Sequence, residues 1–545
     1  MDNFSGVFHN CIFALLLFLT IIVAKKVVLL QNDSTILIIR RCFMSLQTSR
    51  RDFLKASTIA GVGFMVGAGN SVQIARASAL QGIALAGIGI GGKGSSDIDQ
   101  AALYGKVVAL CDTDRNTLAG KAKTYPDAKT YTDYRELYAE MMDKIDAVTV
   151  STPDHMHTII TAEALKAGKH AYTQKPLTRT IGEARYLGYL AKKYGVCTQM
   201  GNQGSSLDAM RRCVAQVQAG VIGEIKKVHI WTNRPVWAQG PNRDMTMDKF
   251  IAQTKKEEDD AELIEDLINE KKDQVAAALK KIDWESWIGV APKREFWPGI
   301  YHDFQWRGWW DFGSGSLGDM ACHTANMPYG AAELKFPTEV VAESSGHDFN
   351  SFPASSKIWF QFPATEHRDA IEVTWFDAKT KPDAALFEEY GIQNPTDSGS
   401  IIVGTKGVAY SPDDYANSYQ LLAKGGDKLA EIEGVEWRKA PEDEHSGNFD
   451  TRNKLEWVTA IHENKPELCW SNFPDFAGPL TETILLGNLA VWAAPKAGER
   501  GETIKWDAKK LEVTNLAELK TPGVAELVRP EYQNGYEKID WSFIG

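Results

Sequence analysis

The sequence is poor in cysteine, carries no excess of positive charge, and shows no internal repeat or low-complexity tract. Seven cysteines occur in 545 residues. Five of them (Cys111, Cys197, Cys213, Cys322 and Cys469) lie beyond residue 79, an odd and scattered set that suggests neither a disulfide framework nor a metal site. The formal charge of −11 argues against a nucleic acid held through its phosphates. The apolar run Cys11–Ala24 has 14 residues and ends at Lys25-Lys26, short of the roughly 18–20 that a bilayer requires. What is present is ordinary for a globular chain: 44% hydrophobic residues over a length that predicts at least two domains with sizeable cores.

The most informative segment is Gly89-Ile90-Gly91-Gly92-Lys93-Gly94. It closes the apolar run Ile83–Ile88, and Asp112 lies 23 residues beyond its first glycine. A strand, glycines at the first, third and sixth positions, a helix, and an acid at the next strand end make a dinucleotide-binding layout. The first glycine allows the tight turn, the second lets backbone approach a pyrophosphate, and the third lets helix pack on strand. Gly87, Gly89 and Gly92 offer a second register. Asp112 ends the run Val107–Cys111, where its carboxylate could take a ribose hydroxyl.

Ser49-Arg50-Arg51-Asp52-Phe53-Leu54-Lys55, followed by the glycine-bearing apolar run Ala56–Gly69, resembles a twin-arginine export signal. Ala75-Arg76-Ala77 and Ala77-Ser78-Ala79 offer small-x-small cleavage sites. Residues 44–79 are therefore expected to be a signal peptide recognised by the twin-arginine machinery, with a periplasmic destination. Met44 stands six residues before Arg50, so residues 1–43 read as a mis-called start or leader extension, with a membrane anchor as the alternative. Removing residues 1–79, with eight basic and three acidic side chains, would take the net charge from −11 to −16.

Strand-like runs at Val107–Cys111, Ala147–Ser151, His170–Thr173 and Val196–Met200 alternate with helical patterns at His155–Ala167 and Ile181–Tyr194, stopped by Gly168 and Gly195. This alternation predicts a doubly wound parallel sheet over residues 80–203. After a helix over Leu207–Ala219, the runs Ile225–Thr232, Val340–Ser344, Lys357–Phe362, Ile371–Phe376, Ser400–Val403 and Gly407–Tyr410 lack intervening helices. They predict an open, mostly antiparallel sheet in a second α/β domain over 204–545. Residues 248–281 read as a charged helical insertion, and Leu480–Ala493 as a closing amphipathic helix.

Ligands of open α/β sheets bind beyond the carboxyl ends of the strands. That places Thr152-Pro153-Asp154-His155-Met156-His157 and Gln174-Lys175-Pro176 beside a cofactor. Lys175 could reach a substrate hydroxyl or the nicotinamide ribose. In Gly318-Asp319-Met320-Ala321-Cys322-His323-Thr324-Ala325-Asn326, a helix would put Asp319 and His323 on one face, with Asn326 near the same stripe. A carboxylate beside an imidazole can fix its tautomer for general-base work on an alcohol. The alternative is an exposed helical ion pair. Six tryptophans between Trp284 and Trp310, with Tyr301, Arg307 and other polar neighbours, suit core packing with one or two rings left for a sugar face.

Taken together, these motifs, with Gly201-Asn202-Gln203, Gly220-Val221-Ile222-Gly223 and Trp306–His323, resemble the glucose–fructose oxidoreductase / inositol dehydrogenase (Gfo/Idh/MocA) family across nearly the whole mature chain. The resemblance implies a Rossmann domain and an α/β domain whose open sheet often forms the interface of a homo-oligomer, here a dimer or tetramer. It makes Lys175 the catalytic lysine beside the nicotinamide, His323 the proton-transferring histidine and Asp319 the substrate-binding acid. Cofactor contacts are expected from Gly89, Gly91, Gly94, Asp112, Thr152, Pro153, His157, Gln174, Lys175 and Asn202, and substrate contacts from Tyr301, Trp306, Arg307 and Asn326. Two positions depart from the pattern: Gln174 stands for the usual glutamate, and Asn326 for a frequent aspartate. Asp112 points to NAD, while Thr113 and Arg115 leave NADP open. An exported enzyme would have to hold its cofactor tightly and regenerate it within the cycle. The expected activity is hydride transfer between a sugar or polyol and that cofactor. The alternatives are an NAD-dependent glycoside hydrolase or lyase working by transient oxidation, and a non-catalytic sugar-binding protein.

Overall fold

A computed structural model describes residues 82–519 and 526–544. The expected leader segments 1–43 and 44–79 lie outside the described residues.

Six short parallel strands form the first sheet: β1 (Ile83–Ile88), β2 (Gly105–Cys111), β3 (Lys129–Tyr131), β4 (Ala147–Val150), β5 (His170–Thr173) and β6 (Thr198–Met200). They lie in the order β3-β2-β1-β4-β5-β6, the doubly wound arrangement expected. Helices α1 (Gly92–Ala101), α2 (Arg115–Ala122), α3 (Tyr134–Met141), α4 (Asp154–Lys166) and α5 (Ile181–Tyr194) make the crossovers. Strands of β-branched and small apolar residues covered on both faces read as continuous hydrophobic runs, and β4 is buried at all four positions. β3 was not anticipated, because Lys129-Thr130-Tyr131 buries only Tyr131. In register, Ile88 pairs with Cys111 and with Val150, and Val150 pairs with Thr173. The residues that follow these strands (Gly89, Asp112, Ser151 and Gln174) therefore emerge along one edge.

After α6 (Asp208–Gln218), strands β7 (Ile225–Trp231), β8 (Glu339–Ser344), β9 (Ser356–Phe362), β10 (Ile371–Phe376), β11 (Gly399–Gly404), β12 (Val408–Ser411), β13 (Gln420–Leu422), β14 (Ile504–Asp507) and β15 (Glu512–Val513) follow. Their sheet runs β13-β12-β11-β7-β10-β9-β8-β14-β15. It is antiparallel throughout except where β10 lies parallel to β7. The expected absence of helices between these strands is corrected: helices between Met247 and Ala331 separate β7 from β8, and Ala384–Glu389 is helical between β10 and β11. The charged insertion forms α7 (Met247–Glu257) and α8 (Ala261–Leu279).

Helix α9 (Gly315–Thr324) carries the expected Asp319 and His323. Two later helices close the core: α10 (Phe449–Glu463), which sequence patterning missed, and α11 (Gly478–Trp492). α11 is not amphipathic as expected, since it is buried on nearly every face. It runs between α5, α9 and the second sheet. A Cβ at its Gly487 would come within 2.7 Å of both Leu317 and Phe360, so a glycine lets three layers meet at that point.

The two domains are joined at the cofactor-side loops. Arg115 N donates to the Lys281 carbonyl at 2.8 Å and Asp283 N to the Thr113 carbonyl at 2.9 Å. The end of the charged insertion is thus stitched to the loop that follows Asp112.

Candidate active site

A cleft of about 580 Å³ lies where the ends of β1, β2, β4 and β5 meet α9 and the loops of the second domain. At its floor, Gly89 turns the chain with φ of +73°. A Cβ on Gly94 would lie 1.9 Å from the Gly89 carbonyl oxygen, and one on Gly91 would lie 3.2 Å from Thr117. The structure therefore uses the register Gly89, Gly91, Gly94. Gly91 caps the start of helix α1 with no side-chain hydrogen bond, so its first-turn amides remain available to an anion. Asp112 accepts from Ile90 N and Asp114 N, both at 2.9 Å. These bonds aim the carboxylate along the cleft wall while leaving further lone pairs on it. Thr152 Oγ1 and Gln203 Oε1 are buried without a partner, and both residues line the cleft. Unspent helix amides, a fixed acid and two orphaned oxygens fit a dinucleotide.

Lys93, inside the glycine loop, is committed elsewhere. Its ammonium bonds Asp97 at 2.6 Å and Asp450 of α10 at 2.7 Å. The fully buried Lys454 bonds the same two carboxylates, each at 2.7 Å. Asp97 also accepts from Ser151 Oγ at 2.9 Å and from Gln174 Nε2 at 2.8 Å. Its carboxyl is held low: burial opposes ionisation, but Lys454 and Lys93 outweigh it. This network gives the glutamine of Gln174-Lys175-Pro176 a reason. A carboxylate there would face Asp97, whereas an amide donates to it. Gln174 Oε1 in turn accepts from Lys175 N at 3.2 Å. Its place is tight, because a Cβ on Gly201 would lie 2.5 Å from the Gln174 amide nitrogen. Gln174 thus acts by holding the Lys175 backbone. His157 is likewise spent on protein, its ring nitrogens 2.9 Å from the Pro176 carbonyl and 2.8 Å from the Thr152 carbonyl. Burial pushes its pKa down to about 4, so the ring is neutral and its single N–H donates to one of these two carbonyls, between the loops that face the cleft.

Lys175 Nζ donates to the Asp319 side chain at 2.8 Å and to the Asp319 carbonyl at 2.7 Å. Arg307 Nε reaches the same carboxylate oxygen at 3.3 Å. Burial alone would raise the Asp319 pKa, but Lys175 and Arg307 bring it down to about 2. The expected Asp319–His323 pairing is corrected here: Asp319 is held by two cations, and the imidazole is oriented by Asn202. Asn202 Nδ2 donates to the Cys322 carbonyl at 2.7 Å, which turns its Oδ1 toward His323 Nδ1 at 3.1 Å. That contact places the proton on Nδ1 and leaves the Nε2 lone pair unspent. Burial, with Lys175 adding to it, pushes the His323 pKa well down. The ring is therefore neutral, in the form a general base needs. Tyr415 packs edge-on against it at 4.8 Å between ring centroids.

The remaining sequence candidates divide. Gly89, Gly91, Asp112, Thr152, Pro153, His157, Gln174, Lys175, Trp306, Arg307, Asp319 and His323 line the cleft. Gly94 lies behind the glycine turn, and Asn202 behind His323. Tyr301 and Asn326, expected at the substrate, do not line the cleft. Tyr301 is 2% exposed within the cluster of Trp287, Trp309 and Phe312. Asn326 is fully buried and donates to Ser205 Oγ at 3.1 Å. Sequence reasoning missed Arg234, Trp237 and Tyr415, which do line it. Arg234 and Trp237 follow the carboxyl end of β7, a position that could have flagged them. Tyr415 lies in a loop with no motif around it. Asp154 also faces the cleft. Burial pushes its pKa up to about 7 against a 2.5 Å hydrogen bond from Ser314.

Comparison with known proteins agrees with this architecture. Residues 65–202 match the oxidoreductase family with NAD-binding Rossmann fold, and residues 268–354 match the C-terminal alpha/beta domain of the same family. A glycosyl hydrolase family 109 protein of Solibacter usitatus is 33% identical over 198 residues, covering 33% of this chain and 44% of that relative. A 1,5-anhydro-D-fructose reductase of Ensifer adhaerens is 31% identical over 119 residues, covering 21% of this chain and 35% of the relative. The chain thus spans less than half the length of these curated relatives. A solved inositol dehydrogenase homolog of Azotobacter vinelandii, complexed with NADH and myo-inositol, is 16% identical with a TM-score of 0.48, covering 78% of this chain and 98% of its own. An aldose-aldose oxidoreductase of Caulobacter crescentus has 16% identity and a TM-score of 0.47, covering 78% of this chain and all of its own. The chain carries both the NAD-binding Rossmann domain and the C-terminal domain of the Gfo/Idh/MocA oxidoreductase family.

Proposed function

We propose that this protein is an exported oxidoreductase that moves a hydride between the secondary alcohol of a sugar, polyol or glycoside and a nicotinamide cofactor it does not release. The observation that carries the reading is the neutral His323, with an unspent Nε2, in the same cleft as Lys175 and the glycine turn. His323 Nε2 accepts the proton of the reacting hydroxyl, and Asn202 Oδ1 stabilises the imidazolium through its Nδ1–H. The third N–H of Lys175 supports the reacting oxygen as charge builds on it. Asp319 fixes the lysine and offers its remaining lone pairs to a neighbouring hydroxyl. The glycine turn, the first-turn amides of α1, Asp112 and Thr152 would hold the dinucleotide. When bound, NAD supplies the hydride acceptor in oxidation and, once reduced, the donor in reduction.

Tight retention is supported by the backbone pairing of Lys281–Asp283 with Thr113–Arg115, which lays the second domain across the ribose end of the cleft. The test is direct. Purified mature protein, dialysed and then denatured, is expected to release one NAD(H) or NADP(H) per chain, and apo protein that turns over only with added cofactor would refute retention. His323→Ala should slow the bound-cofactor redox step by about 10²–10⁴-fold.

A second reading, redox-neutral glycoside cleavage by transient oxidation, is favoured by the glycosyl hydrolase family 109 relatives. Release of reducing sugar without net change in bound nicotinamide would select it. Export rests on the twin-arginine segment: residues 44–79 should carry a folded reporter out of the cytoplasm, and Arg50→Lys with Arg51→Lys should stop it. A homo-oligomer through the second sheet is the expected assembly, to be read from the mass in solution.

A further inference from the structure

The cations of the cleft are not all spent. Lys175 and Arg307 both close on Asp319. Arg234, three residues past the end of β7, has no acidic partner among the described residues. Among the described residues its guanidinium donates its hydrogen bond to the neighbouring Asn233 side chain, while Ala378 N donates to its carbonyl at 2.7 Å and fixes its backbone. It lines the cleft with Trp237 and Tyr415. Burial pushes the Tyr415 phenol up, Asp414 and Asp319 add to this, and Arg234 pulls the other way, so its charge acts at the ring that packs on His323. The acids nearest in sequence to Tyr415 are occupied. Asp414 accepts from Ser398 Oγ, and Asp413 accepts from Tyr415 N and Asn417 N. A guanidinium on a partly desolvated wall, with no carboxylate to neutralise it, is a binding group for an oxyanion.

Building on the proposed function, we infer that the substrate is an acidic sugar, whose anionic substituent is taken by Arg234 while its reacting hydroxyl lies at His323 and Lys175. The carboxylate of a uronic acid matches the guanidinium fork, and a sugar sulfate or phosphate shares that chemistry.

The test uses cofactor-loaded mature protein and matched pairs: galacturonate and glucuronate against galactose and glucose, the methyl esters of both uronates, and galactose 6-sulfate and 6-phosphate. Binding is read by thermal shift and by bound-nicotinamide fluorescence, and hydride transfer by the change in nicotinamide redox state. An anionic sugar is expected to bind roughly 10- to 100-fold more tightly than its neutral parent or ester, the range for a charge-assisted contact. The best arm identifies the substituent. Arg234→Gln should collapse the acid-to-neutral ratio toward one, and Arg234→Lys should restore part of it. Equal binding of acid, ester and parent by the wild-type protein would overturn the inference without any variant. So would an Arg234→Gln variant that weakens acid and parent by the same factor. Acid-selective binding without hydride transfer would instead leave the subsite standing and refute the oxidoreductase reading.

Discussion

Gln174→Glu isolates the electrostatic logic of the site in one atom. In the wild-type protein the Gln174 amide donates to Asp97 at 2.8 Å. Two carboxylates at that separation would repel by about 6 kcal/mol at an effective dielectric of 20, so the introduced carboxyl would keep its proton and donate through it instead. Its folded-state pKa is then raised above the unfolded value of roughly 4.3. Between those two values the folded state binds the extra proton, so stability falls as pH rises. The variant should match the wild type near pH 4 and lose about 1.4 kcal/mol per pH unit above it, until the introduced carboxyl ionises. Lys93 and Lys454, already bound to Asp97, limit the total, and about 3 kcal/mol by pH 7 is the expected scale. Thermal midpoints of cofactor-loaded protein at several pH values measure this directly. Asp97→Asn combined with Gln174→Glu exchanges the two partners and should remove most of the pH-dependent loss. A wild-type-minus-variant difference that stays flat with pH, or a double variant no better than the single, would refute the reasoning.

Asn202→Ala should lower kcat about 10-fold or more with little change in KM, because the imidazole loses the acceptor that fixes its tautomer; Asn202→Asp keeps an acceptor and should recover most of it, and full kcat in the alanine variant would reject the positioning role. Asp154, pushed up to about 7, keeps its proton in the folded state between roughly pH 4 and 7 and so contributes stability that falls as pH rises through that window. Asp154→Asn should flatten that part of the profile, by up to about 4 kcal/mol in the limit of a three-unit shift, and an unchanged slope would count against it. Gly94→Ala places a methyl group 1.9 Å from the Gly89 oxygen, so purified variant should carry far less nicotinamide than the wild type; stoichiometric cofactor with an unchanged thermal midpoint would show that the turn can open.

Much of this site was legible because its signals are local. Gly89, Gly91 and Gly94 answer to contacts within one turn, and Asp112, Thr152 and Gln174 simply follow apolar runs that must be strands. The parallel sheet follows from the same runs. The harder part lay in what neighbours a side chain would meet. Asp319 and His323 do share a helix, four residues apart, and helical periodicity alone pairs them. The structure separates them because Lys175, 144 residues away in sequence, and Arg307 outbid the imidazole for the carboxylate. Asn202, 121 residues from His323, then takes the orienting role. Lys454 has no counterpart in any pattern, since a lysine in a polar-looking stretch reads as solvent-facing until α10 is packed on α1.

The misreadings share a cause that also explains the unusual glutamine. Around Gln174, charge is arranged in two groups, Lys93–Asp97–Asp450–Lys454 behind the glycine turn and Lys175–Asp319–Arg307 in the cleft, and Gln174 stands between them. Its amide bonds Asp97 of the first group with one end and the Lys175 backbone with the other. A neutral residue can join the two without adding charge to either, whereas a glutamate would add an anion beside Asp97. The departure at residue 174 therefore follows from Asp97 and Lys454 and leaves the lysine's chemistry intact. In a chain carrying the same glycine loop but no buried acid at position 97, the need for glutamine disappears, and a glutamate should be tolerated there.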